Sequence, residues 1–222
     1  MLTLGIDDAG RGPVIGPMIL AGCLLDENAE KELKKLGVKD SKQLTQKRRE
    51  FLEAKIKELA ETFEVIIIPP LEIDGSTEQG KLNELEAIAS SKIINRINKG
   101  FGKIKVVVDC PSVSIEKWRD FLKTRVLNLS NLEIVCEHKA DQNHVSVSAA
   151  SILAKCMRER EMEKLKKLYG DKIGSGYTSD PLTQAFVKTH AKKHQDKGIF
   201  RKSWATWKNA VSGPSQKKLG DY

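Results

Sequence analysis

Apolar residues fall into short alternating runs near the start of the chain, and into helical stripes and continuous runs further on. Leu2, Leu4 and Ile6 alternate with Thr3 and Gly5, the period of a strand with one buried face. Asp7 and Asp8 stand where that run ends, and the turn that follows holds Gly10, Arg11 and Gly12 between Ala9 and Pro13. A second apolar run, Val14 to Leu25, predicts a strand paired with the first. A short helix is expected near Ala29 to Leu36, ended by Gly37, and a polar loop spans Lys39 to Leu44. Thr45 is a candidate N-cap for a helix through Phe63, in which Phe51, Leu52, Ile56, Leu59 and Phe63 recur at helical spacing and read as core.

Val65 to Ile68 predict a strand closed by Pro69 and Pro70, and Ile73 to Lys81, rich in Gly, Ser and charge, predicts a loop. A helix over Asn83 to Lys99 presents Leu85, Ile88, Ala89, Ile93 and Ile97 to a core. It leads to Lys103 to Cys110, where Val106, Val107 and Val108 form the continuous run of a central strand covered on both faces. Ser114 caps an expected helix through Val126, Leu132 to Cys136 predict another strand, and a long helix is expected from Val145 to Tyr169. Strands first pair directly and later alternate with helices, so the fold class is α/β with a mixed sheet.

Composition narrows the class. The 222 residues, 40% hydrophobic and 31% charged, are ordinary for a globular protein with one sizeable core. No apolar stretch is long enough to span a membrane and the N-terminus lacks the order of a signal peptide, so a cytoplasmic protein is expected. Cys23, Cys110, Cys136 and Cys156 are widely spaced and read as reduced core residues. Of the net charge of +8, the C-terminal stretch from Lys155 carries 16 Lys and Arg against 7 Asp and Glu, while the first 154 residues carry 22 against 23. A solvated helical face explains lysine runs such as Lys164, Lys166 and Lys167; a surplus this one-sided also suits a polyanion, with nucleic acid the leading partner.

Three acidic positions share one pattern, an apolar strand followed by aspartate: Asp7 with Asp8, Asp109, and Asp141. In open α/β sheets ligands gather beyond the carboxyl ends of the strands, so adjacent strands would bring these acids together. Carboxylates crowded in one pocket repel, and a hard divalent cation relieves that conflict. Taken singly, each aspartate is explained as well by a turn cap. Around the acids, two glycines flanking Arg11 allow close approach of the backbone to a ligand. Lys42, Lys139 and Lys155 suit phosphates or plain surface. His190 and His194, four apart, suit either zinc or solvated surface, and Trp204 and Trp207 either base stacking or anchoring of the last helix.

Six blocks together carry a resemblance: Gly5-Ile-Asp-Asp-Ala-Gly-Arg-Gly-Pro-Val-Ile-Gly-Pro17, Asp40-Ser-Lys-Gln-Leu-Thr45, Val108-Asp-Cys-Pro-Ser112, His138-Lys-Ala-Asp141, Ser146-Val-Ser-Ala-Ala-Ser-Ile-Leu-Ala-Lys155 and Gly174-Ser-Gly-Tyr-Thr-Ser-Asp-Pro181. In kind and order they resemble ribonuclease HII, the type 2 ribonucleases H, in archaeal form, up to about Trp207. The resemblance implies a ribonuclease H-like fold with a mixed central sheet flanked by helices: a catalytic domain over 1–180, a C-terminal helical region over 181–211 and a flexible tail over 212–222. It implies a monomeric endonuclease that cuts the RNA strand of RNA–DNA hybrids, and ribonucleotides embedded in duplex DNA, leaving 5′-phosphate and 3′-hydroxyl ends. Asp7, Asp8, Asp109 and Asp141 would be its catalytic, metal-binding set for Mg2+ or Mn2+, with two ions. Gly10, Arg11 and Gly12 would contact the ribonucleotide, Lys42 a phosphate, and Tyr177 the sugar at the RNA-to-DNA junction. The family pattern has glutamate where this chain has Asp8, a side chain shorter by one methylene.

A tail following Gly213-Pro-Ser215, with Gln216, Leu219 and Tyr222, resembles sliding-clamp-binding peptides, and reads equally as a basic disordered end. The rival functional readings are a non-catalytic hybrid-binding module and a DNA-directed metal nuclease on the same fold.

Overall fold

The computed structural model describes residues 1–38, 44–100 and 102–212. Five strands, β1 (Leu2–Ala9), β2 (Met18–Leu25), β3 (Thr62–Ile68), β4 (Ile104–Asp109) and β5 (Leu132–Glu137), form one mixed sheet in the order β3-β2-β1-β4-β5. β1 is antiparallel to β2 but parallel to β4, and β4 is parallel to β5. The carboxyl ends of β1, β4 and β5 therefore share one edge of the sheet.

Helices cover both faces: α1 (Glu27–Lys35), α2 (Gln46–Leu59), α3 (Pro70–Glu78), α4 (Leu82–Ile97), α5 (Ile115–Lys123), the short α6 (Ala140–Asn143) and α7 (Val145–Tyr169). Leu4, Ile6, Leu20, Val106 and Val108 pack on one face against Ile93 and Ile94 of α4 and Trp118 and Leu122 of α5. On the other face Ile19, Ala21 and Cys23 meet Leu52 and Ile56 of α2 and Ala149, Ile152 and Leu153 of α7. Gly5 lets α7 lie against β1: a Cβ there would fall 2.1 Å from the Ser146 carbonyl carbon. All four cysteines are buried and free.

Beyond a 3-10 turn at Asp171–Ile173, α8 (Pro181–His194) and α9 (Ala205–Ser212) form a third cluster. Phe186, Val187, Phe200 and Trp207 enclose Val14, Ile15 and Met162. Among the described residues no helix is long and apolar enough to cross a membrane.

Several elements differ from the sequence expectation. β2 begins at Met18, because Pro13 and Pro17 cannot donate to a ladder; Val14 and Ile15 are buried against the C-terminal helices instead. The helix capped by Thr45 stops at Leu59, Ala60 turns extended, and Phe63 belongs to β3. Phe63 and Phe51 are 38% and 44% exposed rather than core, each with a cation over its ring, Lys57 and Arg48. The expected loop over 73–81 is largely α3, started by Pro70 at its first turn and fixed by burial of Ile73 and Asp74. Ser114 stands at the N-cap position of α5 without a side-chain cap bond.

Candidate active site

The parallel rungs of β1 and β4 end at Ile6 paired with Val108, so Asp7, Asp8 and Asp109 lie at the carboxyl edge. Strand alternation then sorts them. Leu4, Ile6 and Asp8 share the α4 side, whereas Gly5 and Asp7 share the α7 side. Asp7 is buried; its carboxylate accepts a hydrogen bond from the Asp8 N–H at 2.7 Å and one from Ser151 of α7. Asp109 lies on the same side of β4 as Val107, which packs with Ala140 and Val147, and its Oδ1 accepts the Ala140 N–H at 3.0 Å. Asp141, the next residue of α6, is buried, and the Ser148 hydroxyl of α7 donates to its backbone carbonyl.

Asp8 meets an acid that the sequence did not single out. It borders a small cavity with Asp7, Glu86, Ser90, Asp109 and Trp118. Glu86 is buried, and Arg11 bridges to its Oε1 and to Asn83 Oδ1, the latter at 2.7 Å. Burial raises the Asp7 carboxyl well above its ordinary value, reinforced by the charges of Asp8 and Asp109 and opposed by Ser151. Burial also raises Asp8 to about 6, against the pull of Arg11, and Glu86 to about 8, with Asp8 adding to the effect. These groups resist ionising together.

Hard oxygen donors that are buried and mutually repelling suit a divalent cation that prefers oxygen. The Glu86 Oε2 atom, buried with no hydrogen-bond partner, adds a further acceptor on a residue that lines the same cavity. Among the described residues no three His, Cys, Asp or Glu side chains converge as a ready-made metal cage. The donor chemistry fits, and Asp7, Asp8, Glu86 and Asp109 line one small cavity although Asp7 and Asp8 are neighbours in the strand.

Asp8 also borders a groove, with Gly10, Arg49, Lys155, Arg158 and Tyr177. Gly10 has φ +83°, and a Cβ there would lie 2.5 Å from Arg158 Cδ, so the loop passes tightly over that side chain. Arg158 in turn donates to Ser175 O at 2.9 Å and lies 4.6 Å beneath the centre of the Tyr177 ring. Tyr177 remains 42% exposed. Its loop is fastened by Asp180, which accepts from Ser175 N at 2.6 Å and caps α8 through Leu182 N; these bonds hold the Asp180 carboxyl down at about 2.

Of the other sequence candidates, Lys155 reaches the groove, while Lys139 lies at the start of α6, outside it. His190 and His194 stack with Phe186 and with each other, at 5.8 Å between the histidine rings. Trp207 is buried among the C-terminal helices, and Trp204 Nε1 donates to Gly12 O at 2.9 Å. Lys42, Gln216, Leu219 and Tyr222 lie outside the described residues. Sequence reasoning missed Glu86, Asn83, Arg158 and Arg201. The spacing of Asn83 and Glu86 on a face next to Leu85 and Ala89 was the available signal for a buried acid; Arg158 and Arg201 sit in lysine-rich stretches that read as solvated.

Solved structures share this arrangement. Ribonuclease H2 from Pyrococcus horikoshii OT3 superposes with a TM-score of 0.85 at 38% identity, over 96% of this chain and 98% of that one. RNase HII in its PCNA complex from Archaeoglobus fulgidus superposes with a TM-score of 0.80 at 37% identity, over the whole of both chains. Sheet order, flanking helices and these matches define a ribonuclease H-like nuclease. A sequence model for ribonuclease HII matches residues 4–207, and ribonuclease HII of Methanococcus maripaludis strain C7 is 43% identical over 98% of this chain and 90% of its own. The chain belongs to the ribonuclease HII family, and its activity is that of a ribonuclease H, an endonuclease acting on RNA–DNA hybrids.

Proposed function

We propose that the enzyme also incises duplex DNA at a single embedded ribonucleotide, by divalent-metal-dependent hydrolysis leaving 5′-phosphate and 3′-hydroxyl ends. The observation that carries this is a groove in which Asp8, Gly10 and Tyr177 meet, so that Asp8, which shares a cavity with Asp7 and Asp109, also borders a close-approaching backbone and an exposed aromatic face. DNA differs from RNA at the cut site by a single 2′-hydroxyl, and recognising it requires close backbone approach beside a sugar-sized platform. Asp7, Asp8, Asp109 and Asp141 would hold Mg2+ or Mn2+, with two ions in the site. The chemistry such ions supply when bound is Lewis-acid stabilisation of phosphoryl charge and a water of lowered pKa. The chain's own residues do the rest. Gly10 to Gly12 and Tyr177 bind the ribonucleotide, and Lys155 offsets phosphate charge beside Asp8. Arg11, with 35% of its side chain exposed, holds Glu86 while presenting its outer edge to the substrate.

The test is a DNA duplex carrying one ribonucleotide, incubated with magnesium or manganese beside an all-DNA control. Cleavage confined to the ribonucleotide is the expected result; cutting of the control, or binding without cleavage, overturns the reading. The complex with PCNA described for the Archaeoglobus fulgidus protein supports a second assignment, a sliding clamp held by Gln216, Leu219 and Tyr222. Deleting 216–222 is expected to abolish clamp binding, measured by co-elution; unchanged binding removes the tail from that role.

A further inference from the structure

The segment that follows α8 reaches back across the molecule to the glycine turn. Arg201 is fully buried, yet no carboxylate forms an ion pair with it among the described residues. Its guanidinium is occupied by backbone carbonyls: Nη2 donates to Gly10 O at 2.5 Å and Gly16 O at 3.0 Å, Nη1 to Arg11 O at 2.6 Å, and Nε to Gly16 O at 3.1 Å. Trp204 lies 5.1 Å from that guanidinium and donates Nε1–H to Gly12 O at 2.9 Å. The segment is itself tied down. Asp74 of α3 accepts from Lys202 N at 2.7 Å, Ser203 N at 2.9 Å and Ser203 Oγ at 2.5 Å.

The carbonyls of Gly10, Arg11 and Gly12 are thus all turned toward the C-terminal segment. In a trans peptide the C=O and the following N–H point in opposite directions, and the structure has no cis bond. The N–H groups of Arg11 and Gly12 therefore face away from Arg201. Gly12 is itself unhindered, since a Cβ built there meets no atom within 4 Å.

We propose that Arg201 and Trp204 are positioning residues for ribonucleotide reading: they pin the carbonyls of Gly10 to Gly12 and so hold the amides of Arg11 and Gly12 toward the ribose. The inference rests on the assignment of Gly10 to Gly12 as the ribonucleotide contact. It makes the C-terminal region a working part of the substrate site. Lysine at 201 keeps the charge but not the fork that reaches three carbonyls. Phenylalanine at 204 keeps a ring over Arg201 and loses one hydrogen bond.

Arg201→Lys and Trp204→Phe are compared with the parent for melting temperature, for KM and kcat on a duplex with one ribonucleotide, and for affinity to the all-DNA duplex. KM on the ribonucleotide duplex is expected to rise roughly tenfold, the value of one or two hydrogen bonds, with all-DNA affinity unchanged, so that discrimination falls by the same factor. A folded variant with parental discrimination overturns the inference, as does a fall in melting temperature and kcat together without loss of discrimination. Should Arg201→Lys fail to fold, the partly exposed Trp204→Phe decides. A parent enzyme without ribonucleotide selectivity overturns the functional reading instead, and that outcome is visible before any variant is made.

Discussion

At the scale of single residues, the site turns on which side of the strand each acid takes. Asp7 bonds to Ser151 of α7, while Asp8 faces the cavity of Glu86 below α4. Asp7, Asp8 and Asp109 all border that cavity, and aspartate at position 8 has one methylene less with which to reach a shared ion than the glutamate of the family pattern. Misplacement by about 1 Å can cost on the order of 100-fold in rate. Asp8→Glu is accordingly expected to raise magnesium-dependent cleavage, by up to about that factor, and to narrow the preference for manganese, which accepts looser geometry. Rates of hybrid cleavage in the two metals check this, and a variant no faster in magnesium refutes it. Glu86 sharpens the point, because it holds the same Arg11 whose charge pulls the Asp8 carboxyl down.

At the scale of elements, the contact of β1 with α7 sets how closely the acids approach the helix that carries Ser151 and Lys155. Gly5→Ala would drive a methyl into the backbone of Ser146 and Val147, where no flexible side chain can give way. The expected destabilisation is about 1–3 kcal/mol or more, read from denaturant unfolding, with cleavage lost as α7 shifts. The α8 cap gives a second case, with pH as the lever. Asp180 is held at about 2 against an ordinary 3.8, so its contribution to stability is present above pH ~4 and is lost as pH falls through ~2. Because that carboxylate is largely solvated, the effect is small. Asp180→Asn should show a shallower acid limb of the melting-temperature profile between those pH values, and a raised KM as the Tyr177 loop loosens; an unchanged limb argues against the cap. These elements also show what the sequence made legible. The span of α7, the capping of α2 by Thr45 and the aspartates at strand ends could be read because periodicity and strand termini are local signals. α3 could not, since Gly75, Ser76 and Thr77 are weak helix formers and its stability comes from burying Ile73 and from the bonds of Asp74 to Lys202 and Ser203. Glu86, Arg158 and Arg201 escaped for the same reason: a buried charge is defined by partners far along the chain.

At the scale of the whole molecule, charge and packing point the same way. The stretch from Lys155 onward carries the cationic surplus, and it is this stretch, through Met162, Phe186, Phe200 and Trp207, that closes over Val14 and Ile15 just beyond the glycine turn. The positive part of the molecule is thereby fixed beside the glycine turn proposed to read the substrate rather than held on a separate arm. Lys188, Lys192 and Lys193 of α8 are all exposed, leaving their charges available to a phosphate backbone. Such contacts carry no sequence or sugar information, and they release counterions, so hybrid binding should weaken steeply between about 50 and 200 mM salt. Replacing these three lysines by alanine should reduce the log–log salt slope by roughly one for each lysine that meets a phosphate. It should weaken hybrid and all-DNA duplex in parallel, leaving the preference for a ribonucleotide with Gly10 to Gly12 and Tyr177. Affinities measured by anisotropy across a salt series decide the matter. A triple variant with the parental slope would place the nucleic acid on another face, and one that loses ribonucleotide preference along with affinity would mean that α8 reads the sugar as well as the charge.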